Sequence, residues 1–125
     1  MDIKPMSLHT QRNLESFLKT LGIARPQVHE GAMNFCLEGH QLHLEPTGNC
    51  LSMLIMTHII PDEAQIVSLW ESLIPERFGG YLVRPLWLKK GIALQITLPE
   101  VLQAEYLIRI YRALLSALSP YGVLK

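Results

Sequence analysis

The side chains able to do chemistry are few and widely spaced. Five histidines are present, His9, His29, His40, His43 and His58. A metal site or a general base needs several such groups converging at ligand spacing. His40 and His43 stand three apart across a turn and into a strand, so their side chains should leave opposite faces of a hairpin. No HExxH run and no tight Cys/His cluster occurs, so the histidines read as solvated or core residues and no metal ligand is assigned. Cys36 and Cys50 make no disulfide framework. A meander register set by two turns puts Cys36 opposite the His43 region and Cys50 opposite Pro46. The thiols are then two strand spacings apart, about 10 Å, too far for a bond. Cys36 near His43 has the residue types of a Cys–His pair, but nothing orients the histidine, so no catalytic residue is assigned.

The other candidates are equally sparse. Neither GxGxxG nor GxxxxGK[ST] occurs, and Gly79-Gly80 precedes a strand instead of a helix. The acids Glu38, Glu45, Asp62, Glu63, Glu71, Glu76, Glu100 and Glu105 are spread over turns and helix starts without forming a carboxylate pair. Arg84, Lys89 and Lys90 cluster at one hairpin, where the expectation is a solvated turn protecting an edge strand. Lys+Arg and Asp+Glu both total 11, giving a formal net charge of zero. That balance argues against a nucleic-acid or anionic-membrane partner. The chain reads as non-enzymatic, with no cofactor.

The 125 residues make one domain, with 49% hydrophobic and only 18% charged residues. Such a chain can build a real core, and part of its apolar surplus is expected on a partner-facing surface. No apolar signal segment follows the first lysine, and the longest apolar run, Met53 to Met56, is far short of a membrane span. The expected compartment is a reducing cytoplasm.

These residues must be positioned by short elements that Pro and Gly punctuate. Residues 1–9 read as a flexible tail, followed by a single domain over 10–125. The first helix should start at a Thr10 cap, carry Leu14, Phe17, Leu18 and Leu21 at helical spacing, and stop at Gly22. Met33, Phe35 and Leu37 then alternate with polar residues, as do Leu42 and Leu44 after the Glu38-Gly39-His40 turn. A third strand, Cys50 to Ile60, is apolar on both faces, which implies cover on both sides. Pro61 and Asp62-Glu63 open a middle helix with an inward stripe of Ile66, Val67, Trp70, Leu73 and Ile74. Two more strands follow, Tyr81 to Leu88 and Ile92 to Leu98. Pro85 confines the former to an edge or bulge. A last amphipathic helix runs from about Pro99 to Ser119. The order is α-β-β-β-α-β-β-α, an α+β fold with helices packed on a twisted antiparallel sheet.

Leu69 lies off the expected inward stripe. Together with Trp70 on the middle helix and Trp87 on the Pro-containing strand, it suggests a self-complementary dimer face. Leu54 and Met56 raise the same question for the sheet, because adaptable apolar side chains suit an extended or partly unfolded chain.

The element order, with the segments NLESFLKTLGI, FCLEGHQLHLEP, PDEAQIVSLWESLIP and GGYLVRPLWLKKGIALQITLP, resembles the class I chaperones of bacterial type III secretion, the Tir-chaperone-like (CesT-like) group. The resemblance runs from Thr10 to Ser119 and is one of pattern and size. It implies a cytoplasmic homodimer that binds the N-terminal region of a secreted effector or export-regulating protein and keeps it secretion-competent. It puts the dimer interface at Ile66, Leu69, Trp70, Leu73, Leu82, Val83 and Trp87. Client contacts would fall to Leu14, Phe17, Met33, Phe35, Leu54 and Met56. The group is usually acidic, whereas this chain has a pI near 7.0, which would suit one half of a heterodimer with a second small chaperone. A roadblock- or longin-like adaptor is the other binding-module alternative. It would have two strands before the middle helix, where three are read here.

Overall fold

The computed structural model describes residues 6–37, 39–47 and 49–121. Ser7 caps the first helix, α1 (Leu8–Thr20), its side chain accepting from the Thr10 backbone N–H. The helix therefore begins two residues before Thr10, and residues 8 and 9 belong to it and not to a tail. Thr10 is buried within the first turn. Gly22, at φ 97°, takes the left-handed backbone that ends the helix, and Ile23 N–H folds back onto Leu18 O at 3.1 Å.

The strands are β1 (Met33–Leu37), β2 (His40–Pro46), β3 (Cys50–Met56), β4 (Val83–Leu88) and β5 (Gly91–Pro99). They form one antiparallel sheet in the order β1-β2-β3-β5-β4, so β1 and β4 are its edges. The middle helix α2 (Glu63–Ser72) and the last helix α3 (Ala104–Leu118) complete the α+β order, with three strands before α2. The strand β3 ends at Met56, four residues before Ile60, and β4 starts at Val83 after a 3-10 turn over Pro75–Phe78. The last helix starts later than its sequence pattern suggests. Residues up to Pro99 remain in β5, where Pro99 pairs with Cys50.

Alternation sorts each strand between two faces. Leu42 and Leu44, Leu51, Met53 and Ile55, and Ile92, Leu94, Ile96 and Leu98 are all buried. They share one core with Leu14, Phe17 and Leu18 of α1 and Leu107, Tyr111, Leu114 and Leu118 of α3. Phe17 meets Tyr111 edge-on at 5.9 Å. His40 and Tyr111 share a buried hydrogen bond, Nε2 to Oη at 2.7 Å, which ties β2 to α3. Burial pushes the Tyr111 phenol up to about 12. The opposite sheet face carries Asn34, Cys36, Gln41, His43, Leu54, Met56, Arg84, Leu86 and Gln95. There Leu54 and Met56 are only half-buried, so within the protomer β3 is fully covered on one side, not two.

Gly91 is fixed by close approach. A Cβ there would lie 1.8 Å from Thr57 O, where Thr57 N–H extends the β3–β5 ladder to Ile92 O at 2.9 Å.

Candidate functional site

The middle helix is well built and poorly buried. Asp62 caps it through Gln65 N–H, while the Gln65 side chain returns to Asp62 N–H, a reciprocal capping box. Of its ten residues, only Leu69 is buried. Val67 is 57% exposed and Trp70 59%, and Ile74, just beyond the helix, is 49% exposed. Val67, Trp70 and Ile74 of the expected apolar stripe thus look outward, Ile66 and Leu73 are half-buried, and Leu69, expected outside, anchors the helix to the core. The reason is visible in the next segment. Phe78 is wholly buried and Gly79 turns with φ 68° beside Tyr106, whose Oη would sit 2.1 Å from a Cβ. These two anchors, with Leu69, hold the segment by one side and leave Val67, Trp70 and Ile74 free.

After that turn the chain continues to show apolar surface. Leu82 is 74% exposed, Trp87 46% and Leu88 42%, on or beside the edge strand β4. Pro85 sits in this edge strand, opposite Leu94. Two large faces, on α2 and around β4, are therefore apolar and uncovered in the protomer, the signature of a partner surface.

The structure distributes the expected interface residues unevenly. Trp70, Leu82 and Trp87 are exposed, Ile66, Leu73 and Val83 are half-buried, and Leu69 is core. Leu69 is thereby removed from the interface set. Val67, Ile60 (73% exposed), Ile74 and Leu88 join the exposed set. Helical spacing did flag Val67 and Ile74 as apolar stripe residues, but not the side to which the stripe points. The expected client residues divide as well. Leu14, Phe17 and Met33 are buried in the protomer core, which withdraws them from a surface role. Their helical and alternating periodicity is that of core-facing residues. Phe35, Leu54 and Met56 are half-buried and remain accessible. Leu86 shares the sheet face of Leu54 and Met56, and period-two alternation from Pro85 was the signal that could have placed it there.

The sparse chemical groups stay apart. Cys36 is exposed and pairs with Gln41, while His43 pairs with Asn34 and donates from Nδ1 to its Oδ1. Cys36 therefore lies two pairs along the ladder from His43 instead of opposite it. Cys50 lies on β3, two strands from Cys36, at the turn where Thr47 N–H donates to Cys50 O at 2.8 Å. His40 and His43 do leave opposite faces, one into the core and one onto the open sheet. Among the described residues no helix is long and apolar enough to cross a membrane.

Comparison with known proteins places this geometry. Curated proteins gave no significant match. Among solved structures, a chain of the heterodimeric ExoU–SpcU complex from the type III secretion system of Pseudomonas aeruginosa is similar, with a TM-score of 0.62 and 15% identity. The match covers 86% of this chain and 93% of that one. A chain of the ExoT–SpcS complex from the same organism matches with a TM-score of 0.62 and 16% identity, over 92% of this chain and 99% of that one. Both likenesses are of fold. The family model described as SsaM matches residues 7–120, nearly the whole sequence, and the chain thus belongs to the SsaM family.

Proposed function

We propose that this protein is a non-enzymatic, cytoplasmic chaperone that binds the N-terminal region of a secreted effector or export-regulating protein and holds it stable and secretion-competent. The observation that carries the reading is the family match over residues 7–120. The three strands before α2 support it against a roadblock- or longin-like adaptor. The fold neighbours come from complexes with ExoU and ExoT, and by that likeness this chain would meet a secreted protein. Phe35, Leu54 and Met56 offer half-buried apolar surface to such a client, and the β1 edge offers backbone groups for strand addition. Ile66, Trp70, Leu73, Leu82, Val83 and Trp87 form the dimer face in this reading. Its occupant is a second copy or, alternatively, a second small chaperone, which the neutral net charge would suit.

The test is to tag this chain in its native bacterium, identify what it retains, and then delete the N-terminal segment of the retained protein. Retention of a larger secreted protein, lost on that deletion, is the expected result. A client held equally well without its N-terminal segment would refute the segment assignment. Recovery of only a small partner at one-to-one would favour the adaptor or heterodimer reading.

A further inference from the structure

The zero net charge conceals an uneven distribution. No Lys or Arg stands between Pro26 and Glu76, a stretch that holds β1, β2, β3 and α2. The cations gather elsewhere, and Arg12, Lys19, Arg109 and Arg112 stand on α1 and α3, the two helices that cover the sheet. On α1, Arg12, Ser16 and Lys19 recur at four- and three-residue intervals, all exposed, on the side opposite the buried Leu14, Phe17 and Leu18. On α3, Glu105, Arg109, Arg112 and Ser116 recur in the same way, exposed on the side opposite the buried Leu107, Tyr111, Leu114 and Leu118. The two helices pack side by side, with Phe17 edge-on to Tyr111, so their outer ridges share one surface. A rise of about 1.5 Å per residue sets Arg12 and Lys19 about 10 Å apart along α1. Neighbouring helices lie about 8–10 Å apart, so the four cations crowd one patch. Among the described residues none of the four has a hydrogen bond or an ion pair.

We propose that this α1–α3 ridge docks an acidic protein surface, one that presents separate carboxylates to Arg12, Lys19, Arg109 and Arg112. Arginine holds a carboxylate through two parallel hydrogen bonds, and Ser16 and Ser116 lie on the same ridges to complete a polar contact. The chemistry of the ridge favours a protein over other anionic partners. A helix that lies on lipid carries a row of large apolar side chains, whereas Leu8, at the start of α1, is the one large apolar side chain exposed on these helices. A single-stranded nucleic acid is held by exposed aromatic rings beside its cations, and neither ridge exposes one. Glu105 among the cations would also repel a phosphate backbone. The ridge lies across the helical layer from Leu54 and Met56 on the open sheet face, so an acidic protein and a client can be held at once. The inference does not depend on what the client is.

Binding of poly-L-glutamate to the full chain, read by fluorescence anisotropy, tests this. Phosphatidylserine vesicles and duplex DNA serve as the competing probes. Two variants reverse the ridge, Arg12→Glu with Lys19→Glu and Arg109→Glu with Arg112→Glu. A third, Lys89→Glu with Lys90→Glu, changes the net charge by the same amount at the hairpin turn. All six side chains are exposed, and circular dichroism checks that each variant folds. The parent should bind poly-L-glutamate, more weakly as salt is raised. Each ridge variant should lose affinity on the order of 10-fold, while the hairpin variant binds as the parent does. No binding by the parent, or an equal loss in all three variants, would overturn the ridge as a site. Tighter binding of vesicles or DNA would overturn a protein as the occupant. The ridge variants should also keep the parent's solution mass and its retained client. A changed mass would make a second copy the occupant, and loss of the client together with the probe would overturn a site apart from the client's.

Discussion

The two helices α1 and α3 and the middle helix α2 solve the same sequence problem in opposite ways. All three are amphipathic by spacing. In α1 and α3 the stripe is sealed, with Phe17, Leu114 and Leu118 wholly buried against the sheet. In α2 much of the stripe is presented, with Val67 and Trp70 more than half exposed and Leu69 the one buried residue of the helix. A protein spends apolar surface on its own core first, and a face left uncovered after that is available to another chain. The contrast divides the molecule into a sealed scaffold and an uncovered apolar surface.

The comparison can be broken most severely from the scaffold side. Phe17→Ala should cost about 3–5 kcal/mol of stability, because it removes a wholly buried ring and its edge-on contact with Tyr111. Denaturant unfolding would read this as a lowered midpoint. Gly91→Ala should cost about 1–3 kcal/mol by overpacking, since the added methyl would meet the Thr57 backbone carbonyl. A variant as stable as the parent would show that the loop after β3 yields.

Tyr111→Phe should cost about 1–3 kcal/mol, because it strands the buried His40 ring at one of its contacts. It also changes the alkaline profile. An unfolded tyrosine ionises near 10, whereas the folded Tyr111 holds its proton up to about 12. Its contribution is therefore complete below pH 10 and is lost as the pH rises from 10 to 12. The parent should lose stability across that window more steeply than Tyr111→Phe, and ultraviolet titration of the parent should show a late phenol that the variant lacks. Equal slopes in parent and variant would contradict the assignment.

The smallest effect on folding should come from the presented face. Trp70→Glu should shift unfolding of the protomer by no more than about 0.5 kcal/mol, as exposed sites generally do. The same change should abolish self-association, because a charge would enter a desolvated apolar contact. An unchanged solution mass would remove Trp70 from the interface.

Much of the scaffold was legible in the sequence. Alternation at Met33, Leu42, Leu44 and Ile92 to Leu98 marked the strands, and Gly22, Pro61 and Pro75 marked helix ends. The elements and their order follow from these local signals. The faces do not. Periodicity groups Ile66, Val67, Trp70, Leu73 and Ile74 on one side of α2, but which side meets the sheet is decided at a distance, by Phe78 and by Gly79 against Tyr106. The resemblance put Leu14, Phe17 and Met33 against a client, whereas they close the core. The cap at Ser7 was missed for a related reason. Ser7 and Thr10 are both competent caps, and the extra turn is fixed by the bond from Thr10 N–H to Ser7 Oγ.

The most direct test of the chaperone reading is export itself. With the retained client identified, its abundance and secretion are measured in a strain lacking this chain and in the same strain carrying it on a plasmid. Without the chain the client should be synthesised but depleted in the cytoplasm and missing from the exported fraction, and the plasmid should restore both. Client levels and export unchanged by the loss would contradict it.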